Sequence, residues 1–469
     1  MTFRSAISYV GVVLEILGII ILIPVFFSWL FNEQTHSLFL LAALISFITG
    51  TIFDKKFPKE EITLASAMVI SALSFVLASV IGAVPYLHHM NFVDAVFESV
   101  SGFTTTGLSV IVPEELPNSL LLWRSLTQWI GGIGIILIFL LLVNSPGISS
   151  YYLYKAEGRQ EKIEATVRHT VRSIFWIYGI YTLLGIILLC IAGMPLFDAV
   201  IHTFSSISTG GFSSKSQSIG FYTNPAIEVV IIFLMVAGST SFLLHNRIFK
   251  LEIRKYASNP ETKVFWFLAV TFSIFLSFAF LHMPDSVRHG IFHAFSALTT
   301  TGFTTLNMFP EGLPLFLLAI LMIIGGYAGS TAGGIKIVRA LAIGKAIPWL
   351  GKKMSLPEEA VVPLKIGERI IKLSEMAVIS IFVCIYFLVL GLSTMVLVFL
   401  GYPLSHAFFE SASAEGTVGL SVISLKDMHP LGKFILMIDM LLGRLEIFPF
   451  LVIIYLIYKN IANKIKQKF

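Results

Sequence analysis

Four short runs of threonine and glycine recur along the chain: Thr105-Thr106-Gly107, Thr209-Gly210-Gly211, Thr300-Thr301-Gly302 and Thr417-Val418-Gly419. Side chains of these types make a poor catalytic set, but their backbone suits one kind of chemistry. Rings of carbonyl oxygens replace the hydration shell of a permeating cation. Glycine allows the backbone angles that such a loop needs, and threonine and serine hydroxyls bond locally and hold it. A single Thr-Thr-Gly run is an ordinary polar turn. Four copies in register read as a four-loop selectivity filter.

Each run lies inside a longer repeat. Asp94 and Gly107 of the first copy recur as Asp198 and Gly211, and Phe97-Glu98-Ser99 with Gly107 recur as Phe409-Glu410-Ser411 with Gly419, both without a gap. Repeats at such spacing imply four copies of one supersecondary unit. Each copy reads as a long apolar helix, a short amphipathic helix, the Thr-Gly loop and a second long apolar helix. The first helices are expected near 62–88, 170–195, 263–283 and 373–400, and the second near 118–147, 223–247, 312–346 and 431–459. The short segments, of about 10 residues, cannot cross a bilayer. Such non-helical backbone is tolerated at membrane depth where it lines a water-filled pathway, and a short helix pointing its C-terminal dipole end inward favours a cation.

With two further apolar segments at 6–30 and 37–53, this gives ten expected spans. The expected fold is an all-α polytopic membrane protein with four pseudo-symmetric helix–pore loop–helix units around a central pore and two N-terminal helices. The expected division is an N-terminal pair at 1–54, units at 55–160 and 161–255, a third unit with an intramembrane gating loop at 256–360, and a fourth at 361–469.

Composition agrees with this class. Of the chain, 56% is hydrophobic and 13% charged, where soluble domains carry about 25% charged residues. The apolar run from Ala6 to Leu30 is too long for a signal-peptide core and reads as a retained span. Lys and Arg cluster at 54–60, 150–172, 246–263, 336–372 and 459–468, whereas the alternate loops hold Lys215, Arg288, Lys426 and Lys433. The positive-inside rule places the first set and both termini in the cytoplasm, in a cytoplasmic (inner) membrane. These clusters flank spans and lack interleaved aromatics, which argues against a nucleic-acid partner. Cys190 and Cys384 lie in apolar runs and read as small core residues without a disulfide or metal role. The chain has no His-Glu-x-x-His motif, which argues against an intramembrane enzyme.

One span is interrupted. Gly325, Gly326, Gly329, Gly333 and Gly334 fall within ten residues and would cost a helix roughly 4–5 kcal/mol relative to alanine, so a break is expected there. Lys336 is separated from Gly334 by Ile335, so this is not a phosphate-binding loop. Arg444 falls mid-span, where a charge costs about 2.5–3.5 kcal/mol even on a lenient scale. It should face the pore or a partner, with Asp439 and Glu446 as candidate salt-bridge acids. Asp94 and Asp198 read as helix caps. Glu98 and Glu410 read either as caps or as charges that raise the cation concentration at the mouth. Glu15 and Arg124 suggest no specific role.

Together, the four loops, the stretch Gly325-Gly326-Tyr327-Ala328-Gly329-Ser330-Thr331-Ala332-Gly333-Gly334 and Gly443-Arg444-Leu445-Glu446 resemble the Trk/Ktr/HKT superfamily of potassium-translocating proteins over essentially the whole chain. The extra N-terminal pair resembles the Trk type. The resemblance implies that the twelve residues of the four Thr-Gly runs form a potassium-binding filter. It implies that Gly325, Gly326, Gly329, Ser330, Thr331, Gly333, Gly334, Lys336 and Arg444 gate the pathway beneath it. Glycine at all four filter positions goes with potassium in that superfamily, and serine in the first loop with sodium, so Gly107 points to potassium, and a sodium-selective or sodium-coupled carrier is the alternative. The fourth run, with Val418, departs from the Thr-rich pattern. A homodimer, a cytoplasmic nucleotide-binding regulatory subunit and membrane lipid are the implied partners. Potassium is substrate, and no cofactor is expected. The basic loops at 150–172, 246–263 and 336–372 are either docking surfaces or topology signals facing lipid headgroups.

Overall fold

In the computed structural model, residues 3–142, 147–157, 166–357, 360–367 and 369–466 are described; Arg159, Lys162 and Lys468 of the basic loops lie outside them. Two long helices, α1 (Phe3–Leu30) and α2 (His36–Lys56), form an antiparallel hairpin. They cross closely because Gly11 and Gly50 face each other, and a Cβ on either would meet the other's carbonyl, the small-residue packing that membrane helices use. Glu15 sits in this seam and accepts a hydrogen bond from Thr51 Oγ1 at 3.1 Å.

Four units follow. The first holds α3 (Leu64–Gly82), α4 (Phe92–Phe103), α5 (Asn118–Ile133) and α6 (Ile135–Leu142), then a connecting α7 (Gly147–Ala156). The second holds α8 (Val167–Ile191), α9 (Leu196–Ile207), α10 (Pro225–Ser239) and α11 (Phe242–Phe249), then α12 (Ile253–Ser258). The third holds α13 (Pro260–Ala279), α14 (Ser286–Leu298), α15 (Leu313–Ile324) and α16 (Ile337–Met354). A small hairpin, β1 (Leu364–Ile366) with β2 (Arg369–Ile371), precedes α17 (Leu373–Phe399), α18 (Leu404–Glu415), α19 (Pro430–Arg444) and α20 (Phe448–Lys466). This antiparallel hairpin, turning at Gly367 with φ of 59°, was not expected from the sequence.

The ten expected spans are not ten straight helices. Six of the described helices are long and apolar enough to cross a membrane unaided: α1, α2, α3, α8, α13 and α17. The second long helix is broken in every unit, although the sequence suggested a break only in the third. α5 and α6 bend by 72° at Gly134, whose φ of 102° stops the helix. α10 and α11 bend by 110° where Thr240 turns extended and Ser241 caps the new helix. α19 and α20 bend by 104° at Glu446 and Ile447, with φ of 58° and 65°. Between α15 and α16, residues 325–336 form a loop.

The outer faces carry lipid-type side chains such as Ile191 and Phe399, 77% and 88% exposed, while the interior around the short helices is rich in buried serine and threonine. An apolar exterior around a hydroxyl-lined interior is the arrangement of an integral membrane protein with a polar axis.

Candidate functional site: a ring of four loops

Each short helix, α4, α9, α14 and α18, ends in the same way. Thr105, Thr209, Thr300 and Thr417 take left-handed backbone angles, with φ of 57°, 53°, 54° and 51°. The next residue's N–H then reaches back five residues to a helix carbonyl: Thr106 to Ser101, Gly210 to Ser205, Thr301 to Ser296 and Val418 to Ser413, at 2.7–3.0 Å. This is a Schellman ending with threonine where glycine is usual, and each β-branched residue so placed costs about 1–2 kcal/mol. The strain recurs in four places because it sets the direction of the loop that follows.

The loops then close on one another. A Cβ on Gly107 would strike the carbonyl of Gly210, one on Gly211 that of Thr301, one on Gly302 that of Val418, and one on Gly419 that of Thr106. Loop one therefore abuts loop two, two abuts three, three abuts four, and four abuts one. All twelve residues of the four runs lie in this ring, each buried or half-buried. The glycines, at φ of 74–92°, are required twice over, by backbone angle and by the neighbouring carbonyl.

A second set of contacts straps each loop to its own short helix. Ser109 Oγ donates to Glu98 at 3.0 Å, Ser213 Oγ bonds His202 Nε2 at 3.0 Å, Thr304 Oγ1 bonds His293 Nε2 at 3.0 Å, and Ser421 Oγ donates to Glu410 at 2.8 Å. The four partners occupy equivalent positions, so Glu98 and Glu410 are fully buried loop anchors rather than caps or mouth charges. Glu98 also pairs with Arg124 at 2.8 Å, and Arg124 reaches on to the Ser213 carbonyl at 3.0 Å, tying unit one to loop two. Gln128 adds a clamp, its Nε2 donating to the Gly210 carbonyl at 2.6 Å and its Oε1 accepting from the Phe212 N–H at 3.1 Å. The roles of Arg124, Gln128, His202 and His293 were missed from sequence; the identical spacing of the last two from their glycines was the available signal.

The cap reading of the aspartates does not hold. Asn91 caps α4, while Asp94 accepts from Lys433 Nζ at 2.6 Å across to the fourth unit. Pro195 occupies the cap position of α9, and Asp198 accepts from Ser214 Oγ at 2.6 Å. Of the cysteines, Cys190 is half-buried and packs against the core, whereas Cys384 is exposed and is not a core residue; both are free.

Beneath the ring, residues 325–336 form a loop with a pinched neck. The Ile335 N–H bonds the Ile323 carbonyl at 2.8 Å and the Ile337 N–H bonds that of Gly326 at 2.9 Å. Positive φ at Gly325, Gly329, Gly334 and Lys336 turns the chain through the loop. Gly326 packs against Ala332 and Ser239, Ser330 Oγ donates to the Tyr327 carbonyl at 2.7 Å, and Lys336 Nζ donates to that of Ala332 at 2.5 Å. The loop is fastened to the ring's left-handed threonines. Thr331 bonds Thr209 through their hydroxyls at 3.2 Å, the Gly333 N–H bonds Thr300 Oγ1 at 2.8 Å, and a Cβ on Gly333 would strike Thr417 Oγ1.

The fourth threonine, Thr105, receives Arg444 instead, at 3.1 Å. The same guanidinium donates to the carbonyls of Thr331 at 2.7 Å, Gly132 at 3.0 Å and Gly131. The acids named from sequence are engaged elsewhere: Glu446 with Arg339, and Asp439 with Ser393 at 2.7 Å. A cavity of about 30 Å³, lined by Ser330, Gly333, Lys336, Arg444 and Glu157 among others, lies at this level.

Four loops closed into a carbonyl-rich ring inside a polytopic helical membrane protein define a transporter rather than an enzyme. The chain belongs to the TrkH family of cation transport proteins, which matches residues 35–460. It is 36% identical to an uncharacterised cation transporter of Methanocaldococcus jannaschii, over 97% of this chain and 96% of the other. It is 30% identical to the Trk system potassium uptake protein TrkH of Salmonella typhimurium, over 97% and 98%. The crystal structure of the potassium transporter TrkH from Vibrio parahaemolyticus superposes with a TM-score of 0.85 at 28% identity, covering 97% of this chain and 98% of that one.

Proposed function

We propose that this protein takes up potassium across the cytoplasmic membrane through the four-loop ring, which acts as a carbonyl selectivity filter. The observation that carries this reading is the closed sequence of glycine-on-carbonyl contacts, which leaves every loop with its backbone oxygens beside the next. Rings of this kind replace a cation's hydration shell. The potassium uptake proteins among its relatives supply the ion.

In the same reading, residues 325–334 with Lys336 and Arg444 form the gate. The loop crosses three of the four ring threonines, and a fixed guanidinium occupies the fourth. A cation leaving the ring meets a positive charge and a glycine-rich segment whose neck is already closed by backbone bonds. Both termini are cytoplasmic, and the chain works as a homodimer in lipid with a cytoplasmic nucleotide-binding regulatory subunit, for which the basic loops are docking surfaces. The test is potassium or rubidium uptake by the purified protein in liposomes with sodium as competitor. Uptake that sodium suppresses as strongly as potassium does would refute the potassium reading.

A further inference from the structure

The fourth unit departs from the other three at one position directly behind its loop. The residue four before the ring glycine is Phe103, Ile207 and Leu298 in units one to three, and Glu415 in unit four. Glu415 is fully buried, and neither of its carboxylate oxygens has a hydrogen-bond partner. On the facing helix α19, Asp439 is 1% exposed; its Oδ1 accepts from Ser393 Oγ at 2.7 Å, and its Oδ2 has no partner. Gly443, one turn beyond Asp439, packs under the Glu415 carbonyl, which brings the two helices to close approach. Tyr386 of α17 is also buried, with its hydroxyl unpartnered.

The charges around this cluster are committed elsewhere. α15 carries no ionisable residue. On α4, Asp94 is paired with Lys433 and Glu98 with Arg124. On α18, His406 faces Glu311, and Glu410 accepts from Ser421 and the N–H groups of Val422 and Ile423. Arg339 of α16 pairs with Glu446, while Arg444 and Lys336 bond carbonyls beneath the ring. Two desolvated carboxylates left ionised on facing helices would each cost many kcal/mol, and such groups neutralise instead. Among the described residues, no group of three or more His, Cys, Asp or Glu could hold a metal ion. Buried carboxylates with no compensating cation are neutralised by taking up a proton.

We propose that Glu415 and Asp439 form an intramembrane proton-binding site behind the fourth loop. A proton from water adds to a carboxylate oxygen of the pair. The inference does not rest on the potassium reading, because protonation is read without any flux. Infrared spectroscopy of the native protein in lipid bilayers should show a protonated-carboxyl C=O band at about pH 7 that shifts in heavy water. Because Glu410 is also buried, with its Oε2 unpartnered, the band should weaken in Glu415→Gln and in Asp439→Asn and weaken further in the double variant. Its absence from the native protein, its undiminished survival in the double variant, or its removal by sodium or potassium at constant pH would overturn the proposal; the last result would make this a metal-cation site. Where a variant fails to fold, absence of the band from the native protein, or its removal by sodium or potassium, still overturns the proposal.

Discussion

Gly107 shows how little room a single ring position has. Its φ of 91° is poorly open to other residues, and a Cβ there would run into the Gly210 carbonyl. Gly107→Ser must therefore displace backbone of loop two as well as loop one. We expect the preference for potassium over sodium to fall in liposome flux, roughly tenfold for each 1.4 kcal/mol of lost discrimination, while the protein stays inserted. An unchanged ratio would remove Gly107 from the filter. Glu98 tests the straps instead. Glu98→Ala leaves Arg124 buried without its acid, a loss of about 3–5 kcal/mol when one partner of such a pair is removed, so the thermal midpoint in detergent should drop. The glycines were legible because their spacing repeats without a gap. The left-handed threonines were not, because nothing in a β-branched residue announces that geometry. The Glu98–Arg124 pair was not legible either, since it joins separate helices.

At the scale of elements, the breaks in the second helices decide what can move. Hydropathy runs on across Gly134, Thr240 and Leu445, so the spans in units one, two and four read as continuous; only the five clustered glycines of unit three declared a break. Gly131-Gly132-Ile133-Gly134 and Gly238-Ser239-Thr240 were the quieter clues. The neck bonds at Ile335 and Ile337 bring the ends of the 327–333 segment close together, so deleting it need not separate α15 from α16. That deletion should raise flux in the absence of any partner subunit, and Arg444→Ala should raise it too. Because Arg444 donates directly to the Thr331 carbonyl, the two changes together should give less than the sum of their separate effects. Normal expression with unchanged or lower flux in both single variants would place the gate elsewhere.

For the molecule as a whole, charge distribution predicts which loops face which side. Lys426 lies between the short helix and the second helix of its unit, Lys255 and Lys353 lie in α12 and at the end of α16, and all three are exposed. In a background lacking Cys190 and Cys384, an impermeant thiol reagent should label a cysteine at 426 on intact cells, and cysteines at 255 and 353 only after permeabilisation. External labelling at 255 would invert the arrangement of all four units.

The ring has a seam. Loop four closes on loop one through Gly419 and Thr106, and the same two quarters are joined by Lys433 with Asp94 and by Arg444 with Thr105, each pair 339 residues apart along the chain. A ribosome delivers the first quarter long before the last, so three quarters of the ring must wait in the bilayer with an open side, strained threonines already in place and one wall missing. Closing that wall is the last event of assembly, and it pays a loop-closure entropy that grows only slowly with chain length. Biogenesis of this protein is thus vulnerable at its C-terminal quarter. A nascent chain released before Lys433 has been made would hold four loops but lack Lys433 and Arg444, which tie the fourth quarter to the first.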